Sequence, residues 1–202
     1  MPQSKWGRIS SETLEIYAPI AHRLGLNHTY LQVPSSAQSQ YAQGYDAQQR
    51  PVRVSPGAFA DEAYGIKTTI VDALRYVRVQ VQPEQLTAPL KQAIALTHQG
   101  YFQVGRMTQG LGWERYPHPV TLPTLLAGNG AGMVREPQAV TRLSPASPAD
   151  ASAWYNKTGS TNGFGAYVAF IPSKGLGIAL LANRNYPNEA RVEAAYQILS
   201  GQ

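Results

Sequence analysis

The chain has 202 residues, with 43% hydrophobic and only 14% charged, which fits one domain or a large piece of one and excludes a disordered, highly charged tail. It contains no Cys, which excludes disulfides, thiolate zinc sites, iron–sulfur clusters and a cysteine nucleophile. The net charge of +5 raises nucleic acid as a partner, but the basic residues are scattered. Arg75 with Arg78 and Arg184 with Arg191 are the nearest things to clusters, so the expectation is a solvated basic surface and no nucleic acid.

In chain order, residues 10–24 predict a helix capped by Ser10 or Ser11, kinked at Pro19 and ended by Gly25. The first thirty residues hold no continuous apolar run of the signal-peptide kind, and the longest apolar stretch, Leu176 to Ala182, is far short of a membrane span. Residues 34–58 read as loop and short strand. Residues 68–80 predict a helix burying Ile70, Leu74 and Val77, capped near Thr68 or Thr69. Residues 84–98 predict another, with Leu86, Leu90 and Ile94 inward. Residues 100–150 show no clear period, and 144–152 (SPASPADAS) reads as a loop.

The last third is more regular. Residues 153–159, 164–171 and 176–183 predict three antiparallel strands, the last two joined by a hairpin turn at Pro172-Ser173-Lys174-Gly175. The strand 176–183 is apolar on both faces, which predicts a central position. Residues 187–199 predict an amphipathic helix burying Val192, Ala195, Tyr196 and Leu199, stopped at Gly201. The fold class is α+β, an antiparallel sheet with flanking helices.

Few patterns carry chemistry. The four histidines, His22, His28, His98 and His118, have no ligand-like spacing, so neither a metal nor another cofactor is expected. Gly128-Asn-Gly-Ala-Gly132 follows no apolar strand and reads as a plain turn rather than a phosphate loop. Lys157-Thr158-Gly159 stands apart because it ends a predicted strand and is followed by small polar residues and Gly. That composition leaves a strand edge whose backbone can be approached closely. Lys157 there could hold a carboxylate. The simpler alternative is a Gly-rich hairpin with one exposed Lys.

Lys-Thr-Gly on a strand is the third motif of serine β-lactamases and penicillin-binding proteins. The string NKTGSTNGFGAYVAFIPSKGLGIALLANRNYPNEARVEAAYQIL resembles the C-terminal strands and last helix of the class C β-lactamases (cephalosporinases). LGLNHTYLQVP, YAQGY, VSPGAFADEAYGIKTT and TQGLGWE resemble that family too, so the likeness runs from about Leu24 to the end. It implies a partial serine β-lactamase/transpeptidase-like fold over residues 25–202, a β-lactam as the small-molecule partner, no metal and a periplasmic setting. It also implies site roles. Lys157 would bind the substrate carboxylate and tune the catalytic Tyr, and the Ser160 backbone N–H would be half of the oxyanion hole. Thr158 and Gly159 would belong to the substrate edge, Tyr64 to the side-chain pocket, and Asn185, Asn188 and Arg191 to the carboxylate end. Simpler alternatives exist for several of these. Asn185 and Asn188 could cap the last helix, Arg191 could be solvated, and Tyr64 could be a core aromatic.

The family's nucleophile lies in Ser-x-x-Lys. Three residues before the five lysines stand Pro2, Tyr64, Ala88, Trp154 and Ile171, so the motif is absent. The Tyr-x-Asn motif occurs only as Tyr186-Pro187-Asn188, inside the C-terminal string. The expectation is the C-terminal part of a class C β-lactamase, truncated and inactive alone, with a missing N-terminal segment as partner. The alternatives are one half of a complementing hydrolase and a nucleotide-signalling protein. The last rests on residues 1–24, where RISSETLEIYAPIAHRLGL resembles a short stretch of the guanosine tetraphosphate synthetase/hydrolase family. The expectation there is a non-family, chimeric helix. Made as written, without an export signal, the chain would be cytoplasmic.

Overall fold

The computed structural model describes residues 17–201 apart from 18, 56 and 58. Of the helix expected over 10–24, residues 19–23 are helical, and residues 10–16 lie outside the described residues.

The centre is a seven-stranded sheet in the order β6-β3-β4-β5-β7-β8-β9, antiparallel throughout. Its strands are β3 (Gly100–Val104), β4 (Met107–Gln109), β5 (Glu114–Tyr116), β6 (Thr141–Ser147), β7 (Trp154–Ser160), β8 (Gly165–Ile171) and β9 (Leu176–Ala182). A separate two-stranded ribbon, β1 (Gly44–Tyr45) and β2 (Pro51–Val52), lies in the region read as loop and short strand.

Alternation along β7 and β8 divides the core into two layers. On one face Tyr116, Trp154, Tyr167, Ala169 and Ile171 pack against Leu125 of α3 (Leu122–Asn129) and against Val192, Ala195 and Leu199 of α5 (Asn188–Ser200). On the other, Trp113, Tyr155, Phe170 and Ala179 pack against Ala73 and Val77 of α1 (Ile70–Val81). Tyr155 and Phe170 stack with centroids 5.1 Å apart, and Trp113 meets Phe170 edge-on at 4.9 Å. Such aromatic pairs add about 1 kcal/mol each beyond their buried area.

The three C-terminal strands and the terminal helix form as expected. Ile171 to Leu176 turns through a short 3₁₀ segment that ends at Gly175, where φ is +66°, a conformation that costs Gly nothing. The Thr69 hydroxyl caps α1 by accepting from the Asp72 N–H. Four expectations need correction. First, α1 buries Ala73 and Val77, while Ile70 and Leu74 are 45% and 46% exposed. Second, among the described residues β9 lies at the edge of the sheet rather than at its centre, and β8 holds the inner place. Third, residues 144–147 continue β6 instead of forming loop. Fourth, Gly128 to Gly132 is not a plain turn: it joins the end of α3 to α4 (Ala131–Arg135). The helix expected over 84–98 begins at Ala88, as α2 (Ala88–His98). Among the described residues no helix is long and apolar enough to cross a membrane.

Candidate active site

β7 outruns its neighbour on one side. Its last partner in β5 is Glu114, opposite Asn156, whereas on the β8 side it stays paired out to Ser160. Lys157 to Ser160 therefore form a strand end with one side not covered by β5.

Two groups of side chains are built on that end. The first centres on Glu114, whose side chain is 12% exposed. Its Oε1 accepts from Lys157 Nζ at 2.8 Å and its Oε2 from Asn156 Nδ2 at 2.8 Å. The Asn156 amide also donates to Asn129 Oδ1 at 3.2 Å, and Asn129 Nδ2 donates to the Leu125 carbonyl at 2.9 Å. The carboxylate is thus fixed from behind by buried amides, while Lys157 remains 49% exposed.

The second group joins β7 to the start of α5. Ser160 Oγ donates to Asn188 Oδ1 at 3.0 Å and accepts from Arg191 Nη2 at 2.8 Å. Arg191 Nη2 also donates to Asn188 Oδ1. Arg191 Nη1 donates to the carbonyls of Gly159, at 2.8 Å, and Ala166, at 2.9 Å. Burial holds the Arg191 guanidinium below the usual arginine range.

The structure thus brings Ser160, Asn188 and Arg191 into one hydrogen-bonded knot that includes the Gly159 carbonyl, and sets Lys157 apart in a pair with Glu114. Tyr64, Gly159 and Ser160 share the wall of a cleft of about 580 Å³ with Tyr41, Ile66 and Phe164. Tyr64 is 40% exposed, which removes the core-aromatic alternative, and its hydroxyl accepts from the Gly57 N–H at 2.8 Å. Arg191 is 1% exposed, which removes the solvated alternative. Asn188 does not cap α5, where Pro187 takes the cap position without a side-chain bond. Asn185 is exposed and tied to β1 through its backbone N–H, which donates to the Tyr45 carbonyl at 2.9 Å. Thr158 is half-buried.

Sequence reasoning named neither Glu114 nor the Asn156–Asn129 pair behind it. The available signal was composition: Asn156 is a lone amide beside Trp154 and Tyr155 in an otherwise apolar half-strand. The site offers an ammonium and backbone donors to an anion. The Ser160 hydroxyl has no base beside it, because its Oγ is bonded to an amide oxygen and a guanidinium, neither of which takes a proton at neutral pH. Among the described residues no three His, Asp or Glu side chains gather as a metal site.

An antiparallel sheet sandwiched between α5 and α1, with Lys-Thr-Gly on an inner strand, defines the β-lactamase/transpeptidase fold. The Beta-lactamase family model matches residues 13–202. A beta-lactamase from Pseudomonas fluorescens is 56% identical over 178 residues, covering 88% of this chain and 50% of the relative. One from Yersinia enterocolitica is 48% identical, covering 87% and 46%. Among solved structures, a beta-lactamase/D-alanine carboxypeptidase from Pseudomonas syringae superposes with a TM-score of 0.89 at 49% identity, covering 93% of this chain and 52% of that one. A class C beta-lactamase in complex with cefoxitin gives a TM-score of 0.89 at 46% identity, covering 94% and 53%. The chain belongs to the beta-lactamase family, and its structural neighbours include class C enzymes. It spans about half the length of the curated relatives it matches. Nothing in these comparisons supports the guanosine tetraphosphate resemblance at the N-terminal end.

Proposed function

We propose that this chain is the carboxylate-binding side of a class C β-lactamase active site and that it does not hydrolyse β-lactams by itself. The observation that carries this is the Lys157–Ser160 strand end, which presents an ammonium and main-chain donors in a sequence without Ser-x-x-Lys. In this reading Lys157 and Ser160 are the catalytic contributors. The Lys157 ammonium holds the β-lactam carboxylate. The Ser160 N–H donates one hydrogen bond to the carbonyl oxygen as it becomes an oxyanion, a contact worth on the order of 10²–10³ in rate when complete. Thr158 and Gly159 belong to the substrate edge next to Lys157, and Asn188, with Arg191 behind it, to the carboxylate end. Tyr64 borders the substrate's side chains, and Asn185 belongs to the carboxylate end.

Hydrolysis of the β-lactam amide by this family runs through an acyl-serine intermediate, and its place would be the periplasm. Removing the serine nucleophile from a comparable catalytic unit costs about 10⁶-fold in turnover, so stabilising groups alone leave hydrolysis near background. The cefoxitin-bound class C neighbour supports a β-lactam as the ligand class. A second reading is that the chain works as one half of a complementing hydrolase, with the nucleophile on a partner.

The test is a chromogenic cephalosporin assay on the purified chain, with Lys157→Ala beside it. No turnover by either protein is expected. Turnover that disappears in Lys157→Ala would mean that a nucleophile is present and that the chain is a complete enzyme.

A further inference from the structure

Lys157 does not stand free at the strand end. Its ammonium lies 2.8 Å from Glu114 Oε1, on the strand next to its own. The two partners differ in freedom. The Glu114 carboxylate is nearly buried, and its other oxygen is held by Asn156, which is 0% exposed. Asn156 is in turn held by Asn129, itself 3% exposed and anchored to the Leu125 carbonyl. The carboxylate is therefore the fixed member of the pair. The ammonium, on a four-carbon stem and half in solvent, is the movable one.

We propose that Glu114 is a positioning residue for Lys157. It is a built-in carboxylate that docks the ammonium at the end of β5 and that an incoming ligand carboxylate must share or displace. The proposal rests on the reading of Lys157 as a carboxylate-binding group and adds how that group is regulated. With no ligand, the pair leaves the strand end close to electrically neutral and keeps the Lys157 side chain from sampling other rotamers. A ligand carboxylate approaching the β7 edge competes with a rigid carboxylate for one ammonium. Selectivity then follows from geometry, because a carboxylate that can bind Lys157 while Glu114 keeps one hydrogen bond loses less than one that must pull the ammonium away.

The experiment is trace reductive methylation of the 202-residue chain, read by peptide mass spectrometry as the ratio of Lys157 to Lys67 labelling in the same molecules. Lys67 is a suitable internal reference for the ligand-free ratio because its Nζ donates to the Leu31 carbonyl at 2.8 Å rather than to Glu114. A general loosening of the fold raises both rates and leaves the ratio little changed. Glu114→Gln keeps the shape and an oxygen for Asn156 but removes the charge. It is expected to raise the ratio by about 1.5-fold to fivefold, the range for a half-exposed ion pair. Glu114→Asp, which keeps the charge, is expected to bring the ratio part of the way back. An unchanged ratio in Glu114→Gln overturns the proposal.

A second arm adds cefoxitin. Protection of Lys157 is expected in the wild-type chain and is expected to be stronger in Glu114→Gln, where the competing carboxylate is gone. Protection equal or weaker in Glu114→Gln overturns the competition. No protection in either protein overturns the β-lactam reading, while the ligand-free ratio still decides the role of Glu114.

Discussion

The Arg191 guanidinium, carried on α5, hydrogen-bonds the carbonyl oxygen of Gly159 on β7 at 2.8 Å. With the bonds of Arg191 and Asn188 to Ser160, it fixes the last helix against the strand end that carries the candidate site. The same Nη1 reaches Ala166, the cross-strand partner of Gly159, so Arg191 clamps β7 to β8 where the sheet opens into the cleft.

Arg191 is buried without a carboxylate partner among its hydrogen bonds, and its acceptors are backbone and side-chain oxygens. Arg191→Ala would leave the Gly159 and Ala166 carbonyls short of a donor. A loss of about 3–5 kcal/mol is expected, in line with breaking a buried charged network. Arg191→Lys is expected to recover only part, because one ammonium cannot match the planar fork. Urea unfolding followed by circular dichroism measures both, and a wild-type midpoint in Arg191→Ala would dismiss the clamp.

His98 gives a pH dependence. It is buried between Tyr155 and Phe170, with ring centroids 4.7 Å and 5.3 Å away, and its Nε2 meets Gln80 Oε1 at 3.0 Å. Burial, assisted by the nearby Arg115 charge, pushes its pKa down to about 4. In the unfolded chain His titrates near 6.5, so between these values the unfolded state binds the extra proton. Stability is therefore full above about pH 6.5 and falls as the pH drops toward 4, by about 3 kcal/mol in all. The carboxylates of Asp46 and Asp150, held low by hydrogen bonds from their own loops, lose their contribution only at still lower pH. Melts from pH 7 to 4 should show this slope, and His98→Phe should flatten it.

Gly128 sits in the last turn of α3 against Tyr116, and a Cβ there would overlap the Tyr116 hydroxyl. Helix propensity alone favours Ala over Gly by about 1 kcal/mol. Gly128→Ala is nevertheless expected to destabilise by about 1–3 kcal/mol, because Tyr116 is 1% exposed and cannot swing away. A thermal melt decides the sign.

Asn156 faces Glu114 on one side and Asn129 on the other. Asn156→Asp would set a second carboxylate against Glu114 and remove the amide donor that both neighbours use. A loss of about 2–4 kcal/mol at pH 7 is expected, from like-charge repulsion and an unmade hydrogen bond. Recovery of part of that loss at pH 4 would mark the repulsion, and equal stability of the two proteins at pH 7 would rule it out.

The sequence was most legible where apolar patterning runs unbroken. Gly165–Ile171, Leu176–Ala182 and the helix after Pro187 declare their period and their turns. The stretch 100–150 did not, because β4 and β5 are three residues long and α3 contains Pro123 and Gly128. Short polar strands exist only by pairing, and pairing is not written locally. The buried face of α1 was misread for a related reason. Apolar size favours Ile70 and Leu74, yet the helix turns Ala73 and Val77 inward, where it meets β9 across Gly177, a position with no room for a Cβ beside Val77. In the site, Lys157 and Ser160 stood out through the Lys-Thr-Gly string. Glu114, 43 residues away in sequence, enters only through the β5–β7 register.

β9 ends the sheet with Leu-Gly-Ile-Ala-Leu-Leu-Ala, and among the described residues no strand lies beyond it. Natural edge strands usually carry a charge, a proline or a bulge that discourages a second ladder, and this one carries none of them. Its outward main-chain groups can template any extended apolar segment, including the same strand of another copy. Solubility then becomes a property of concentration: a dilute solution and a crowded one hold different species, and a single Lys placed at Leu181 moves the threshold between them.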